Sequence, residues 1–267
     1  MTGGIGSLWA AGKFVGSLIG SFLLILVIWW LFLVAFPDIG PIIGRTPTDV
    51  FAYLFTDAGA AEARDEIFGN LRITLQDSAV GFVSGMLAAV VVAAVFVVSR
   101  PAAQTFMPIA MLLRSVPLVA MTPLITLVVG RGVAVVAVMG GIVVFFPALV
   151  MIMTGLANAP KHLDDVISVY GGGRWTSLYR SAVPSAVPAL FGAAKVSVPG
   201  AIIGATVAEW LGTNKGLGAT LQQALPAAAY DELWASVIVI TISSIIVYAI
   251  VGVLETVVLA QMGMKQT

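Results

Sequence analysis

Long apolar runs, several of about 18 residues or more, recur along this chain and constrain its fold more than any other feature. A helix needs roughly that length to cross about 30 Å of hydrocarbon. Composition agrees, because 60% of the 267 residues are hydrophobic and 10% are charged. Soluble domains carry roughly 25% charged residues, so a water-facing globule of this sequence would expose more apolar surface than water tolerates. The expected class is an all-α integral membrane protein in which residues 1–267 form a single transmembrane domain.

Six spans can be drawn. They run from about Val15 to Phe36, Ile73 to Val98, Val116 to Val129, Val133 to Leu156, Ala186 to Ala208 and Leu233 to Ala260. The third is short and holds Pro117 and Pro123, which neighbouring helices can tolerate in a bundle. The first run is too long for a signal peptide and lacks a small-residue cleavage site, so it reads as a retained span. Gly16/Gly20, Gly81/Gly85 and Gly200/Gly204 are each four apart, the spacing that lets membrane helices approach closely. A packed bundle is expected.

Several function classes drop out. With no cysteine there is no disulfide, thiol nucleophile or thiolate metal ligand, and His162 is the single histidine. Net charge is zero and no basic tail exists, so nucleic acid is not an expected partner. Ala11-Gly12-Lys13-Phe14 is unlike a true phosphate loop, since Phe14 stands where a Ser or Thr would hold magnesium. Neither HExxH nor GxSxG occurs. The carboxylate read as lying inside a span is Asp77. No catalytic residue, metal or cofactor is expected.

An even number of spans places both termini on one side. If that side is the cytoplasm, it carries Lys13, Arg100, Arg114, Lys161, Arg174, Arg180 and Lys265. The opposite side carries Arg45, Arg64, Arg72, Arg131 and Lys215. The positive-inside rule then favours cytoplasmic termini. In the outer loop from Pro37 to Asn70, residues 48–55 read as a short amphipathic helix with Thr48 as N-cap.

Between the fourth and fifth spans lies a polar segment, Asn158 to Pro188, with a coupling loop over about 157–184. Asn158 reads as a helix cap with Pro160 in the first turn, and Asp164 and Asp165 suit the positive end of that helix. Gly171-Gly172-Gly173 breaks it. A second helix from Arg174 to Ala182 would set Trp175, Leu178 and Tyr179 on one side, with Pro184 and Pro188 opening the next span. Such an elbow suits a helix-in-groove contact with another protein, although a loop folded on its own bundle is the alternative.

Asp165, Gly171, Val183 and Pro184 also carry a known spacing: an acidic residue, a glycine six on, and an apolar-Pro pair twelve and thirteen beyond it. This resembles the EAA loop with which permease subunits of binding-protein-dependent ABC importers grip their ATPases. Arg114-Ser115-Val116-Pro117 through Pro123-Leu124, Phe146-Pro147, Gly171 through Trp175, Ala208-Glu209-Trp210-Leu211-Gly212 and Gly216-Leu217-Gly218 are similar to that family, most of all its nitrate, sulfonate and taurine branch, which includes permeases for thiamine pyrimidine precursors. The resemblance runs from Phe14 onward. Asp165 replaces the family's glutamate, Val166 and Ile167 replace its alanines, and Ser181 takes an apolar position.

The resemblance implies a type I ABC importer permease fold in the bacterial inner membrane, with a cytoplasmic coupling elbow. It implies an ATPase dimer docked on Asp165, Val166, Ile167, Gly171, Arg174, Trp175, Val183 and Pro184, with ATP bound by that partner and not by this chain. It also implies a second permease, whether a copy or a paralogue, and an extracytoplasmic solute-binding protein. The expected solute is a small anion or a vitamin-precursor-like compound. A secondary transporter would need intramembrane ion ligands and often an internal repeat, neither of which is evident; a non-transporting scaffold would need no path.

Lys195, Glu209 and Arg114 are the candidates for the solute path, because ionisable groups in spans are functional by default. Lys195 falls where the resembling family often has a basic residue. It faces the path and attracts an anion, or it snorkels or pairs with a carboxylate of the bundle; the last two are favoured. Arg114 reads first as an interface anchor. Glu209 caps the path, contacts a binding protein, or is a solvated helix end.

Overall fold

A computed structural model describes Gly20, residues 23–36 and residues 43–263. The start of the first expected span, with Gly16, and the Ala11–Phe14 stretch lie outside these residues, as do Asp38 and Lys265. The described residues form helices and no strand. They divide into two compact units, residues 1–66 with 224–235, and residues 67–223 with 236–267.

In the first unit, α1 (Leu23–Ala35) is apolar and α2 (Pro47–Phe55) is short. The N-cap of α2 is Thr46, not the expected Thr48. Thr46 Oγ1 accepts the Asp49 N–H while the Asp49 carboxylate accepts the Thr46 N–H, and Pro47 fills the first turn. This capping box satisfies two amides reciprocally, an outcome a lone threonine at 48 cannot match. Val50 and Leu54 are buried. Arg45 pairs with Asp231 at 2.5 Å, Trp234 Nε1 donates to the Ile43 carbonyl at 2.9 Å, and the Trp29 and Trp234 rings stack at 5.2 Å.

The next helix, α3 (Ala60–Val98), starts well before the expected Ile73. Its first turns are charged, with Glu62, Arg64, Asp65 and Glu66, so a hydropathy reading sees only the apolar portion of a longer helix. The last helix likewise begins at Tyr230, ahead of Leu233.

The second unit contains a helix absent from the sequence reading, α4 (Arg100–Arg114). Pro101 sits in its first turn, where a missing N–H costs nothing, and the Ser99 side chain caps Ala102 N. After a bend of 105° comes α5 (Leu118–Val129), so the short third span is the second arm of a broken pair. Pro117 is its N-cap, and the helix runs unbroken through Pro123.

Helix α6 (Val133–Ala157) is the centre of this unit and packs along α10 (Val187–Ala208). A Cβ on Gly81 of α3 would lie 2.7 Å from Gly140 Cα, and a Cβ on Gly204 of α10 would lie 2.7 Å from the same atom. Gly85 meets Gly141 and Val144 as closely, and Gly200 meets Val143. Two of the expected glycine pairs therefore have partners, both on α6. Bilayer helices gain from van der Waals approach, since lipid supplies no hydrophobic drive between them. Ser84 Oγ adds a bond to the Ala137 carbonyl at 2.9 Å.

The chain leaves α6 through α7 (Lys161–Val169), α8 (Arg174–Ser177), a π-turn at Leu178–Ala182 and α9 (Val183–Ser185) before α10. A second π-turn, Glu209–Thr213, ends α10 and leads to α11 (Gly216–Ala224) and α12 (Tyr230–Gln261). Among the described residues, four helices, α3, α6, α10 with its π-turn, and α12, are long and apolar enough to span a bilayer, or five spans if α4 and α5 form one. The first of the six expected spans is described only over Leu23–Ala35.

Candidate functional site

The elbow starts from a different cap than expected. Asn158 is the C-cap of α6, and Pro160 is the N-cap of α7 without a side-chain bond. The proline turns the chain into an extended residue and so displaces the cap two positions onward. The glycine bend is where the sequence placed it. Gly171 N donates to the Ser168 carbonyl at 3.0 Å and Gly172 N to the Ile167 carbonyl at 2.8 Å, with Gly171 at φ +79°. This pattern is a Schellman motif, in which the left-handed residue after the helix is normally glycine. A side chain on Gly172 would overlap Ile167 at 2.4 Å.

The two arms are tied together by the Ser177 hydroxyl, which donates to the Asp164 carboxylate. Arg174 Nη1 anchors the bend to the Val98 carbonyl at the end of α3 at 3.2 Å. Beneath lies a cavity of about 710 Å³ whose lining includes Phe96, Leu156, Asp164, Ile167 and Arg174.

These ties fix which side chains face out. Leu163, Val166 and Tyr170 share one side of α7 and are exposed, as is the neighbouring Val169 at 84%. Trp175 and Tyr179 are exposed at 64% and 76%, but Leu178 is buried, so the three do not form the expected common face. The π-turn starts at Leu178 and rotates the following residues away from α-helical register. Asp165, Arg174, Val183 and Pro184 are exposed, whereas Ile167 is half-buried over the cavity. Val169 and Tyr170 are the surface residues that the sequence reading passed over. Their signal was an apolar stripe at helical spacing inside a polar segment.

The three path candidates are not brought together. Arg114 is exposed in the last turn of α4, where a cation complements the helix dipole. Lys195 and Glu209 lie fourteen positions apart along α10, about 21 Å at the α-helical rise. Lys195 Nζ is 2.5 Å from Glu255 Oε2 on α12, which bears out pairing within the bundle. Glu255 is an intramembrane carboxylate that the sequence reading, holding to Asp77, overlooked; a single acidic residue hardly changes the hydropathy of so apolar a helix.

Glu209 is no solvated helix end. It is fully buried. Its Oε2 accepts the Thr74 hydroxyl at 2.9 Å and the Gly218 N–H at 2.8 Å, and Thr74 Oγ1 in turn accepts the Leu217 N–H at 2.9 Å.

Comparison with known proteins agrees with this architecture. The chain matches the family described as "Binding-protein-dependent transport system inner membrane component" over residues 81–262. A probable ABC transporter permease protein of Haemophilus influenzae is 27% identical over 76% of this chain and 80% of its own length. The formylaminopyrimidine transport permease protein ThiX of Halalkalibacterium halodurans is 24% identical over 72% of this chain and 77% of its own. In fold, the chain is similar to one from an inward-facing MetNI methionine ABC transporter, with a TM-score of 0.59, 18% identity, and coverage of 76% of this chain and 99% of that one. The family match takes in the glycine crossings, the whole elbow, and Glu209 with Leu217 and Gly218, and the chain thus belongs to the binding-protein-dependent transport system inner membrane components.

Proposed function

We propose that this permease subunit of an ABC importer docks a cytoplasmic ATPase dimer on the α7–α8 elbow and passes the closure of that dimer to its membrane helices. The observation that carries the proposal is the elbow's exposed apolar and aromatic surface. Val166, Val169, Tyr170, Trp175 and Tyr179 stand outside the bundle on a backbone fixed by the Schellman bend, the Asp164–Ser177 tie and the Arg174 anchor. A helix presenting apolar side chains to water is stabilised by a partner groove, and exposed aromatics are the usual anchors of such contacts. Asp165 and Arg174 add charge at the rim, and Val183 and Pro184 lie where the elbow joins α10.

With the elbow in the cytoplasm, both termini are cytoplasmic and the Glu209 end of α10 faces outward. ATP is bound and hydrolysed by the partner, and the free energy of coupling comes from its differential affinity for two arrangements of the complex. A second permease, copy or paralogue, completes the path, and a solute-binding protein delivers the solute from outside. The solute is a small organic or inorganic anion or a vitamin-precursor-like compound, a reading supported by the formylaminopyrimidine permease among its relatives. Of these classes the precursor-like compound is favoured, because the Lys195 charge is already met by Glu255.

The test is co-purification in detergent with the candidate ATPase. The unsubstituted chain retains the ATPase, and Tyr170→Glu or Gly171→Trp releases it while the chain stays folded. Failure of the folded, unsubstituted chain to hold any ATPase overturns the proposal.

A further inference from the structure

We infer that Glu209 is a positioning residue that ties the short helix α11 to α10 and α3, so that movement of α10 begun at the elbow is delivered to α11. The inference rests on the function proposed above. It starts from geometry. Helix α10 begins beside Val183 and Pro184, runs 22 residues, and ends at Ala208, one residue before the glutamate. At the α-helical rise that is about 33 Å, the thickness of a hydrocarbon core. One end of α10 meets the elbow, and the other meets this carboxylate.

A buried carboxyl is costly in any membrane bundle, and a leucine would fill the same space without that cost. What the carboxylate supplies is an acceptor. The first amides of α11 have no partner within their own helix. Gly218 N–H is taken by Glu209 Oε2 at 2.8 Å, and Leu217 N–H by Thr74 Oγ1 at 2.9 Å, while the Thr74 hydroxyl donates to Glu209 Oε2 at 2.9 Å. Side chains of α10 and α3 therefore cap α11 jointly, and α11 has no independent N-terminus.

Space enforces the same link. Gly216 has φ +80°, and a Cβ there would lie 2.5 Å from Glu209 Cδ and Oε1. A Cβ on Gly218 would lie 2.2 Å from the Thr206 carbonyl of α10. The two glycines admit backbone contact, and any side chain would push α11 off its seat. Glu209 Oε1, meanwhile, is buried with no hydrogen-bond partner. A carboxylate has two equivalent oxygens, so α11 can turn about this joint and pass its N–H from one oxygen to the other without losing its anchor. The joint is a pivot as well as a tie.

The absence of cysteine makes the test specific. Gln222→Cys places one thiol on the exposed side of α11, in a complex of this chain with its ATPase reconstituted in lipid vesicles. The rate of labelling by a water-soluble maleimide is compared without nucleotide and with ATP plus orthovanadate. The expected result is a change of roughly fivefold or more, the scale of ordinary coupling between sites. It is lost in Glu209→Ala and in the isosteric Thr74→Val, and kept in Glu209→Gln, which retains one acceptor oxygen. ATPase retention and ATP hydrolysis stay intact in all three, a separation that simple misfolding would not give. An equal nucleotide response in Glu209→Ala and in the unsubstituted joint overturns the inference, as does a thiol on α11 that never responds. If the unsubstituted chain holds no ATPase at all, the proposed function falls first and this role falls with it, an outcome seen at the purification step before any labelling.

Discussion

Lys195 Nζ and Glu255 Oε2 lie 2.5 Å apart and join α10 to α12 through opposite charges inside the bundle. Both side chains are partly buried, at 27% and 14% exposure, so each charge is met chiefly by the other. Lys195→Met and Glu255→Gln singly each strand a partly buried charge, and each should destabilise the chain by about 1–2 kcal/mol, between the values for exposed and fully buried pairs. The double variant recovers most of that loss. Thermal unfolding in detergent of the four proteins measures the coupling; a loss in the double variant equal to the sum of the two single losses would show the pair to be incidental.

Gly140 is in backbone contact with both Gly81 and Gly204. A Cβ on Gly140 would lie 2.8 Å from Gly81 Cα, so Gly140→Ala should force the α3–α6 crossing open and cost roughly 3 kcal/mol, the upper range for overpacking. Gly252 on α12 is the matched control, since nothing lies within 4 Å of a Cβ built there. Gly252→Ala should be neutral or slightly stabilising, because alanine forms helix better than glycine by about 1 kcal/mol. The yield of monodisperse protein after heating distinguishes the two.

Thr46 caps α2. Thr46→Ala should loosen this helix by about 1 kcal/mol, seen as faster hydrogen exchange over residues 47–55. Exchange in α6, in the other unit, should be unchanged.

Tyr53 should hold its proton at alkaline pH. Burial raises its pKa above the ordinary 10.0, and Glu232, Glu66 and Asp231 add to the shift. The folded chain thus binds this proton more tightly than the unfolded chain. The resulting stability is fully present below pH 10 and is lost as pH rises from there through the raised value. Tyr53→Phe should flatten stability against pH in that window; an unchanged slope would assign the alkaline loss to other groups.

Legibility from sequence followed the strength of each physical signal. Continuous apolar runs set the middle of α6, α10 and α12 to within a few residues, because hydrocarbon thickness fixes their length. The charged starts of α3 and α12 were missed because a helix that leaves the membrane keeps its geometry but not its composition. Helix α4 was missed because Pro101 and Pro108 weaken its helical signal, although the first occupies a permissive turn. The elbow's bend was legible in three consecutive glycines, since left-handed backbone is costly for other residues. Its faces were not, because the π-turn at Leu178 alters the periodicity on which such assignments rest. Glu209 and Glu255 were opaque for a further reason. The partners of a buried charge lie on other helices, and spacing along one chain cannot name them.

A π-turn lies on either side of α10: Leu178–Ala182, separated from it by α9, and Glu209–Thr213, which follows it directly. A π-turn holds one residue more than the α-helical turn it replaces. The polypeptide thus stores a spare residue on either side of α10. Rewinding either turn as α-helix would free one residue, worth about 1.5 Å of rise and roughly 100° of rotation for the segment beyond it. A stroke of that kind needs no loop to stretch and no hinge to open. The slack it consumes is already wound into the helix.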